Sequence, residues 1–344
     1  MRPRRFLYPF GAIYGLIVKI RNNWYNRGWF KSEAPPVFSV CVGNLSVGGT
    51  GKTPMTEYLI GLLQKEEKNI AVLSRGYKRK TKGFLEVSEG ITADEGGDEP
   101  FQIARKFKKV KVFVDANRVE GVKRILENYP QTDVLLLDDA FQHRKIKAHL
   151  NILLTRYDQL YADDYYLPAG YLRDHKSRAK DADIVIVTKC PVDLSKTEKN
   201  SIEIILNLNS NQDLFFSGLV YDSLKQLFEN KVETQIENHN LLVITGIAHP
   251  KPFIGYISEK NNILEHIAYP DHYAFKSSDI AQWRNELIGF ENAAIITTEK
   301  DAVRLLSFKK ELVGIKVYYL PVKMEFLADK ERFESIVHTS NASS

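Results

Sequence analysis

Residues 37–54 read Val-Phe-Ser-Val-Cys-Val-Gly-Asn-Leu-Ser-Val-Gly-Gly-Thr-Gly-Lys-Thr-Pro, and this stretch decides the fold. Residues 37–42 are mostly apolar or β-branched and predict a strand. A glycine-rich turn follows, and then a helical pattern over 54–66. Strand, glycine-rich loop and helix in this order are the context of a phosphate-binding loop. In that reading Ser46, Val47, Gly48, Gly49, Thr50 and Gly51 form the loop, whose backbone N–H groups turn inward around phosphate oxygens. Lys52 reaches the β- and γ-phosphates, and Thr53 holds Mg²⁺. The helix N-terminus adds partial positive charge. One departure stands out: Ser46 occupies the first glycine position of the usual G-x-x-x-x-G-K-T pattern. A glycine-rich turn before an ordinary helix is the competing reading, but sequence and context agree on nucleotide binding.

Outward from the loop, apolar runs at 70–73, 110–114, 134–137, 150–154 and 184–188 alternate with helical stretches at 99–108 and 118–129. Such alternation implies an α/β fold with a parallel sheet covered on both faces. The run at 134–137 ends in Asp138 and Asp139. Active sites of open parallel sheets lie at the carboxyl ends of strands, and phosphate-loop enzymes place a Mg²⁺-side aspartate there. The bland alternative is a strand and a polar turn. A less regular region at 209–239 follows, in which 215–221 and 231–236 suggest a two-stranded crossing. A second alternation has strands at 241–246, 293–298 and 317–320 and a helix at 277–289. The expected organisation is therefore a helix over 1–32, a phosphate-loop core over 33–215, a crossing ribbon over 216–238, a second α/β unit over 239–338 and a polar tail over 339–344.

The 344 residues are 44% hydrophobic and 26% charged, which excludes a disordered, collagen-like or polytopic membrane chain. Two cysteines, Cys41 and Cys190, exclude a disulfide framework or cysteine-based zinc cluster and point to a reducing compartment. The net charge of +5 is unevenly spread: residues 1–32 hold seven basic and no acidic residues. The remainder is slightly acidic, which argues against nucleic acid as a partner. In the N-terminal segment Phe6, Phe10, Ile13, Ile17, Ile20 and Trp24 form one helical stripe. Lys19 and Arg21 leave only about a dozen apolar residues, short of the ~18 that a spanning helix needs. No small-residue cleavage site follows, as a signal peptide would require. The pattern predicts a basic amphipathic helix lying in a membrane surface, with Trp24, Tyr25 and Trp29 at the interface. A helix packed on its own domain is the alternative.

Further strings carry a resemblance: Ser74-Arg75-Gly76-Tyr77, Gly97-Asp98-Glu99-Pro100, Asp138-Asp139-Ala140-Phe141-Gln142-His143-Arg144, residues 167–174, residues 269–273 and Thr298-Glu299-Lys300-Asp301-Ala302-Val303. Together with the phosphate loop they resemble the tetraacyldisaccharide 4′-kinases of lipid A biosynthesis, from the N-terminal helix to about residue 305. The resemblance implies two α/β/α sandwich domains joined by a β-ribbon, with ATP and Mg²⁺ in the cleft. It also implies γ-phosphate transfer to the 4′-hydroxyl of a tetraacyl glucosamine disaccharide 1-phosphate at the cytoplasmic face of the bacterial inner membrane. Peripheral attachment to that anionic surface would come from the N-terminal helix, and no protein partner is implied. By motif, the catalytic dyad maps to Asp98 and His272, the Mg²⁺-side carboxylates to Asp138 and Asp139, and the lid arginine to Arg173. Asp174 stands where the family usually has glutamate, and Tyr273 where many relatives have a second histidine.

Plainer readings compete at each position. Asp98 and Glu99 before Pro100 suit a helix N-terminus, His272 suits an ordinary loop, and Glu299, Lys300 and Asp301 read as structural. Arg75, Tyr77 and Arg118 fit either substrate binding or packing, and His143 has no assigned role. The alternative function is a membrane-associated phosphate-loop GTPase or switch protein. Guanine readers carry Asn/Thr-Lys-x-Asp after a strand, whereas here Thr188-Lys189-Cys190 is followed by Pro191.

Overall fold

β1 (Phe38–Asn44) is buried along its whole length, which demands strands on both edges and helices on both faces. The computed structural model describes residues 5–229, 232–233 and 239–342. In it β1 lies between β5 (Val134–Asp138) and β6 (Leu150–Arg156), both parallel to it. β2 (Ile70–Ser74), β4 (Lys111–Val114) and the short β3 (Leu85–Glu86) continue the sheet on the β5 side. β7 (Ile184–Thr188) and β8 (Asp213–Tyr221) continue it on the β6 side. The strand order therefore reverses at β1, and the crevice at a switch point of this kind is where open α/β sheets bind ligands.

One face is covered by α2 (Lys52–Gln64), α3 (Ala93–Gly96) and α4 (Asp98–Lys106), with Met55, Leu59, Ile60, Leu63 and Ile103 fully buried. The other is covered by α5 (Arg118–Asn128) and α6 (Lys196–Leu206), through Val122, Ile125, Ile202 and Leu206.

A second sheet contains β9 (Leu224–Gln226), β10 (Val232–Glu233), β11 (Asn240–Thr245), β12 (Asn262–Ala268), β13 (Ala293–Thr298) and β14 (Lys316–Leu320), in the order β10-β9-β14-β13-β11-β12. α7 (Lys251–Ser258) packs on one face through Phe253 and Ile257. α8 (Ser277–Glu286) and α9 (Glu299–Leu305) pack on the other through Trp283, Ile280, Ala302 and Leu305. The two three-layer α/β units agree with the expected fold class.

The boundaries differ from those expected. β15 (Val322–Phe326) leaves the second unit and pairs antiparallel with β8. α10 (Lys330–Ala342) follows it onto the first sheet, where Phe333 and Val337 are fully buried with Phe215 and Phe326. Residues 322–338 thus belong to the first unit, and the stretch from 339 continues α10 to Ala342 instead of forming a loose polar tail. The ribbon differs as well. Its two strands are β8 running into β9 and β14 running into β15, paired side by side across the junction. Of the expected partner at 231–236, only Val232–Glu233 is described, and it pairs with β9; the remainder lies outside the described residues. The true partner lies about a hundred positions away, where neither periodicity nor a turn signal could reveal it.

α1 (Tyr8–Asn26) packs through Gly11, Gly15, Val18 and Asn22. A β-carbon on Gly15 would stand 2.6 Å from Cδ2 of Tyr166, so only glycine permits this approach. The predicted stripe faces the opposite way: Phe10 is 61% exposed, Ile13 58% and Ile17 62%. No described helix is long and apolar enough to cross a membrane.

Candidate active site

The phosphate loop joins β1 to α2. Gly51 caps α2 with φ +88°, and Gly48 has φ +108°; both lie in the left-handed region that glycine tolerates. Ser46 needs no such freedom. It forms an antiparallel bridge with Leu172, and Val47 N donates to Tyr171 O at 2.8 Å. The missing glycine of the motif is thereby explained: the loop entrance is pinned as a strand against residues 171–173. Thr50 is buried, and its hydroxyl accepts from Asn44 Nδ2 at 2.7 Å. Val47, Gly48 and Gly49 open to solvent. Lys52 Nζ lies 3.7 Å from Asp139 Oδ1, and Thr53 follows it in the first turn of α2.

Asp138 and Asp139 end β5 beside the loop. Burial pushes the Asp138 carboxyl up to about 7, assisted by Glu99 and Asp139 and opposed by Lys52. Thr56 Oγ1 donates to it at 3.4 Å. Asp139 behaves oppositely. Burial opposes its ionisation, but Lys52 and Arg173 outweigh it and hold the carboxyl well below the carboxylate range. Arg173 grips Asp139 with both Nη atoms, Nη1 at 3.1 Å, and also donates to Asn44 Oδ1. Among the described residues no group of three or more His, Cys, Asp or Glu is placed to hold a metal alone.

Asp98 and His272, 174 positions apart, meet between the two units. Asp98 is the first residue of α4, and Gly97, not Asp98, occupies the cap position. The Asp98 carboxylate accepts from His272 Nδ1 at 3.1 Å and from Arg304 at 2.6 Å (Nη2) and 3.0 Å (Nε). Burial works against its charge, yet these partners lower the carboxyl to about 2. His272 has φ +62°, and its N–H donates to Gly246 O at 3.2 Å. The Tyr77 ring meets the imidazole edge-on at 5.6 Å. The Glu99 charge felt by Asp138 links this cluster to the carboxylate pair.

The other singled-out residues divide clearly. Asp174 is fully buried and accepts from Asn22 Nδ2 at 2.8 Å, anchoring α1 beside the site. Tyr273 stacks on Tyr269 against Phe275, in the core of the second unit. Arg118 is buried and donates to Asp115 O at 2.7 Å. Arg75 and Tyr77 are exposed. His143 is pushed down to about 4 by burial and by Arg118, so it is neutral. Thr298 caps α9, accepting from Asp301 N at 3.2 Å, and the buried Asp301 carboxylate accepts from Gly246 N at 2.8 Å, a structural role as expected.

Compared with known proteins, residues 3–342 match the model of the tetraacyldisaccharide-1-P 4′-kinase family. The chain belongs to that family. A tetraacyldisaccharide 4′-kinase of Flavobacterium johnsoniae is 46% identical over 96% of this chain and 95% of its own length. One from Bacteroides fragilis is 42% identical over 95% and 90%. The crystal structure of LpxK from Aquifex aeolicus in complex with ATP matches with a TM-score of 0.77 at 29% identity, covering 98% of this chain and 99% of that one. As a tetraacyldisaccharide 4′-kinase, this chain is the ATP-dependent enzyme that phosphorylates the 4′-hydroxyl of a tetraacyl glucosamine disaccharide 1-phosphate in lipid A biosynthesis. The GTPase alternative is set aside by this membership.

Arg304 and Asn44 of this kinase, which sequence reasoning missed along with Thr56, touch its candidate site residues directly. Arg304 holds Asp98, and Asn44 joins Thr50 to Arg173. Lys300 and Arg304 share one face of α9 by their i, i+4 spacing, a signal that was available. Asn44 offered no such signal, since its role depends on two distant segments meeting.

Proposed function

We propose that Asp98 and His272 act together as the base for the sugar 4′-hydroxyl, and that the rest of the site holds the phosphates in line with it. The 3.1 Å contact between His272 Nδ1 and Asp98 Oδ2 carries this reading. With Nδ1–H donated to Asp98, the Nε2 lone pair is left to take a proton. Asp98, with its carboxyl lowered to about 2, stays ionised, orients the ring and stabilises the imidazolium that forms. As the hydroxyl proton passes to Nε2, the sugar oxygen bonds to the γ-phosphorus and the bond to the β–γ bridging oxygen breaks. Backbone N–H groups of 46–53 cradle the phosphates, and Lys52 neutralises charge on the β- and γ-phosphates. Arg173, bound to Asp139 and Asn44, positions the segment that borders the loop.

The donor set fits Mg²⁺. Asp138, Asp139 and the Thr53 hydroxyl are hard oxygen donors, and Mg²⁺ is usually held by one or two carboxylates plus substrate phosphates. A buried carboxyl pushed up to about 7 beside a second carboxylate is a site short of positive charge. Mg²⁺ bound there supplies charge neutralisation at the phosphate oxygens.

The exposed Phe10, Ile13, Ile17 and Trp24 and the exposed basic Lys19 and Arg27 fit a peripheral helix on an anionic surface, the cytoplasmic face of the inner membrane. The substrate is an acylated lipid, so this helix brings the site to it.

The test is phosphorylation of a tetraacyldisaccharide 1-phosphate in detergent micelles with radiolabelled ATP, for the wild type and for Lys52→Ala. The variant should lose about 10²–10³ in kcat, the range for removing one preorganised electrostatic group. Wild-type turnover by Lys52→Ala would overturn the phosphate-loop assignment.

A further inference from the structure

We infer that Lys300 is a positioning residue for the His272 base. Its ammonium holds Nε2 in the substrate-free enzyme, selects the tautomer with the proton on Nδ1, and withdraws onto nearby carboxylates when the acceptor hydroxyl enters. This rests on the dyad reading above and deepens it.

Lys300 Nζ lies 3.0 Å from His272 Nε2. An ammonium has donors and no acceptor, so Nε2 must be the unprotonated nitrogen. The Asp98 carboxylate, 3.1 Å from Nδ1, selects the same tautomer from the other side of the ring. Lys300 and Asp98 thus favour the same tautomer, the one a base requires, while Arg304 Nη2, a donor 3.2 Å from Nδ1, is taken up by Asp98.

The charged groups facing His272 come from three segments, and Tyr77 adds a fourth. Asp98 on α4 and Asp271, whose carboxylate is 4.0 Å from Nε2, favour an imidazolium. Lys300 and Arg304 on α9 oppose it, Arg304 Nη2 lying 3.2 Å from Nδ1. The Tyr77 ring is uncharged. Arg304 is already shared with Asp98 and Asp301. Without Lys300, two carboxylates face the ring against one committed guanidinium, and the balance of neighbouring charge moves toward favouring an imidazolium.

A berth for the displaced ammonium exists. Asp271 Oδ1 is 3.6 Å from Nζ and Glu99 Oε1 is 4.0 Å away. Both partners are held in register by one turn: His272 N donates to Gly246 O, and Gly246 N donates to Asp301 next to Lys300.

The experiment is the pH profile of kcat at saturating ATP and lipid substrate for the wild type, Lys300→Met, Lys300→Gln and Lys300→Arg. Losing a positive charge at this distance should move the acid limb up by about one pH unit in the Met and Gln variants. Their kcat should fall roughly tenfold at pH 6.5 and stay within about threefold at pH 8.5, with KM for ATP unchanged. Lys300→Arg should keep the wild-type limb. ¹⁵N-histidine NMR supplies a readout without turnover: at neutral pH, His272 should shift from the Nδ1–H tautomer toward imidazolium in Lys300→Met. A loss of kcat equal at all pH values, or an unchanged His272 spectrum, overturns the proposal. If His272→Ala is inactive while Lys300→Met keeps its acid limb, only the Lys300 role fails; if His272→Ala is fully active, the dyad reading fails first.

Discussion

A double-mutant cycle on Asp98 and His272 tests the site most directly. Asp98 is held at about 2 against an ordinary 3.8 although burial pushes the other way. At ~1.4 kcal/mol per pH unit the net lowering is on the order of 2 kcal/mol, what its partners leave after the cost of burial. His272 and Arg304 share it, so the coupling of Asp98 to the imidazole is on the order of 1 kcal/mol. That value is worth roughly 5–10-fold in the stability of an imidazolium. Asp98→Ala also frees the ring to choose the wrong tautomer, so its kcat should fall by at least that factor. His272→Ala removes the proposed base and should cost about 10²–10⁴ in kcat. The double mutant should be barely slower than His272→Ala, because Asp98 acts through the ring. ATP affinity, read by nucleotide-dependent melting, should change little. The depressed carboxyl contributes above pH 3.8 and loses its contribution only as pH falls toward 2, so Asp98 should add no limb to the profile between pH 5 and 9. Losses that multiply, or full kcat in His272→Ala, would refute the reasoning.

Three other outcomes are expected. Ser at Phe10, Ile13 and Ile17 together should leave the melting temperature unchanged and lower retention on anionic vesicles more than tenfold, since each exposed side chain buries about 1.5–3 kcal/mol of apolar surface in lipid; unchanged retention would show that this face does not touch membrane. Asp138→Asn should abolish phosphoryl transfer yet raise the melting temperature of the metal-free protein above pH 7 by ~2–4 °C, because a carboxyl raised to about 7 destabilises the fold as pH climbs past 3.8; a lowered melting temperature would contradict the burial argument. Phe333→Ala should cost about 3–5 kcal/mol and weaken ATP binding by loosening the first unit; intact nucleotide binding together with a destabilised second unit would contradict the placement of α10.

The strand, loop and helix at 37–66, the carboxylates ending β5 and the apolar stripe of α1 were legible because each is a local pattern. Periodicity, glycine placement and a polar strand end record which face is buried and where the backbone must turn. The first unit's parallel core follows from the same patterns. The motif strings named Asp98 and His272 through resemblance, whereas their own neighbours in the chain pointed to a helix start and a loop.

Tertiary structure decided what depends on segments far apart in the chain. β15 and α10 return to the first sheet because Met324, Phe326, Phe333 and Val337 complete its core beside Phe215, and no local period specifies which of two apolar cores a strand will join. Asp174, whose role the motif left open, anchors α1, because Asn22 reaches it across 152 positions. Lys300 and Arg304 read as helix residues until α9 set them against an imidazole from another loop and a carboxylate from the other unit. The sequence determined each element and its chemistry. The charge state and partner of each titratable group were decided only by folding, because Coulomb energies depend on distances of a few ångströms that sequence spacing does not set.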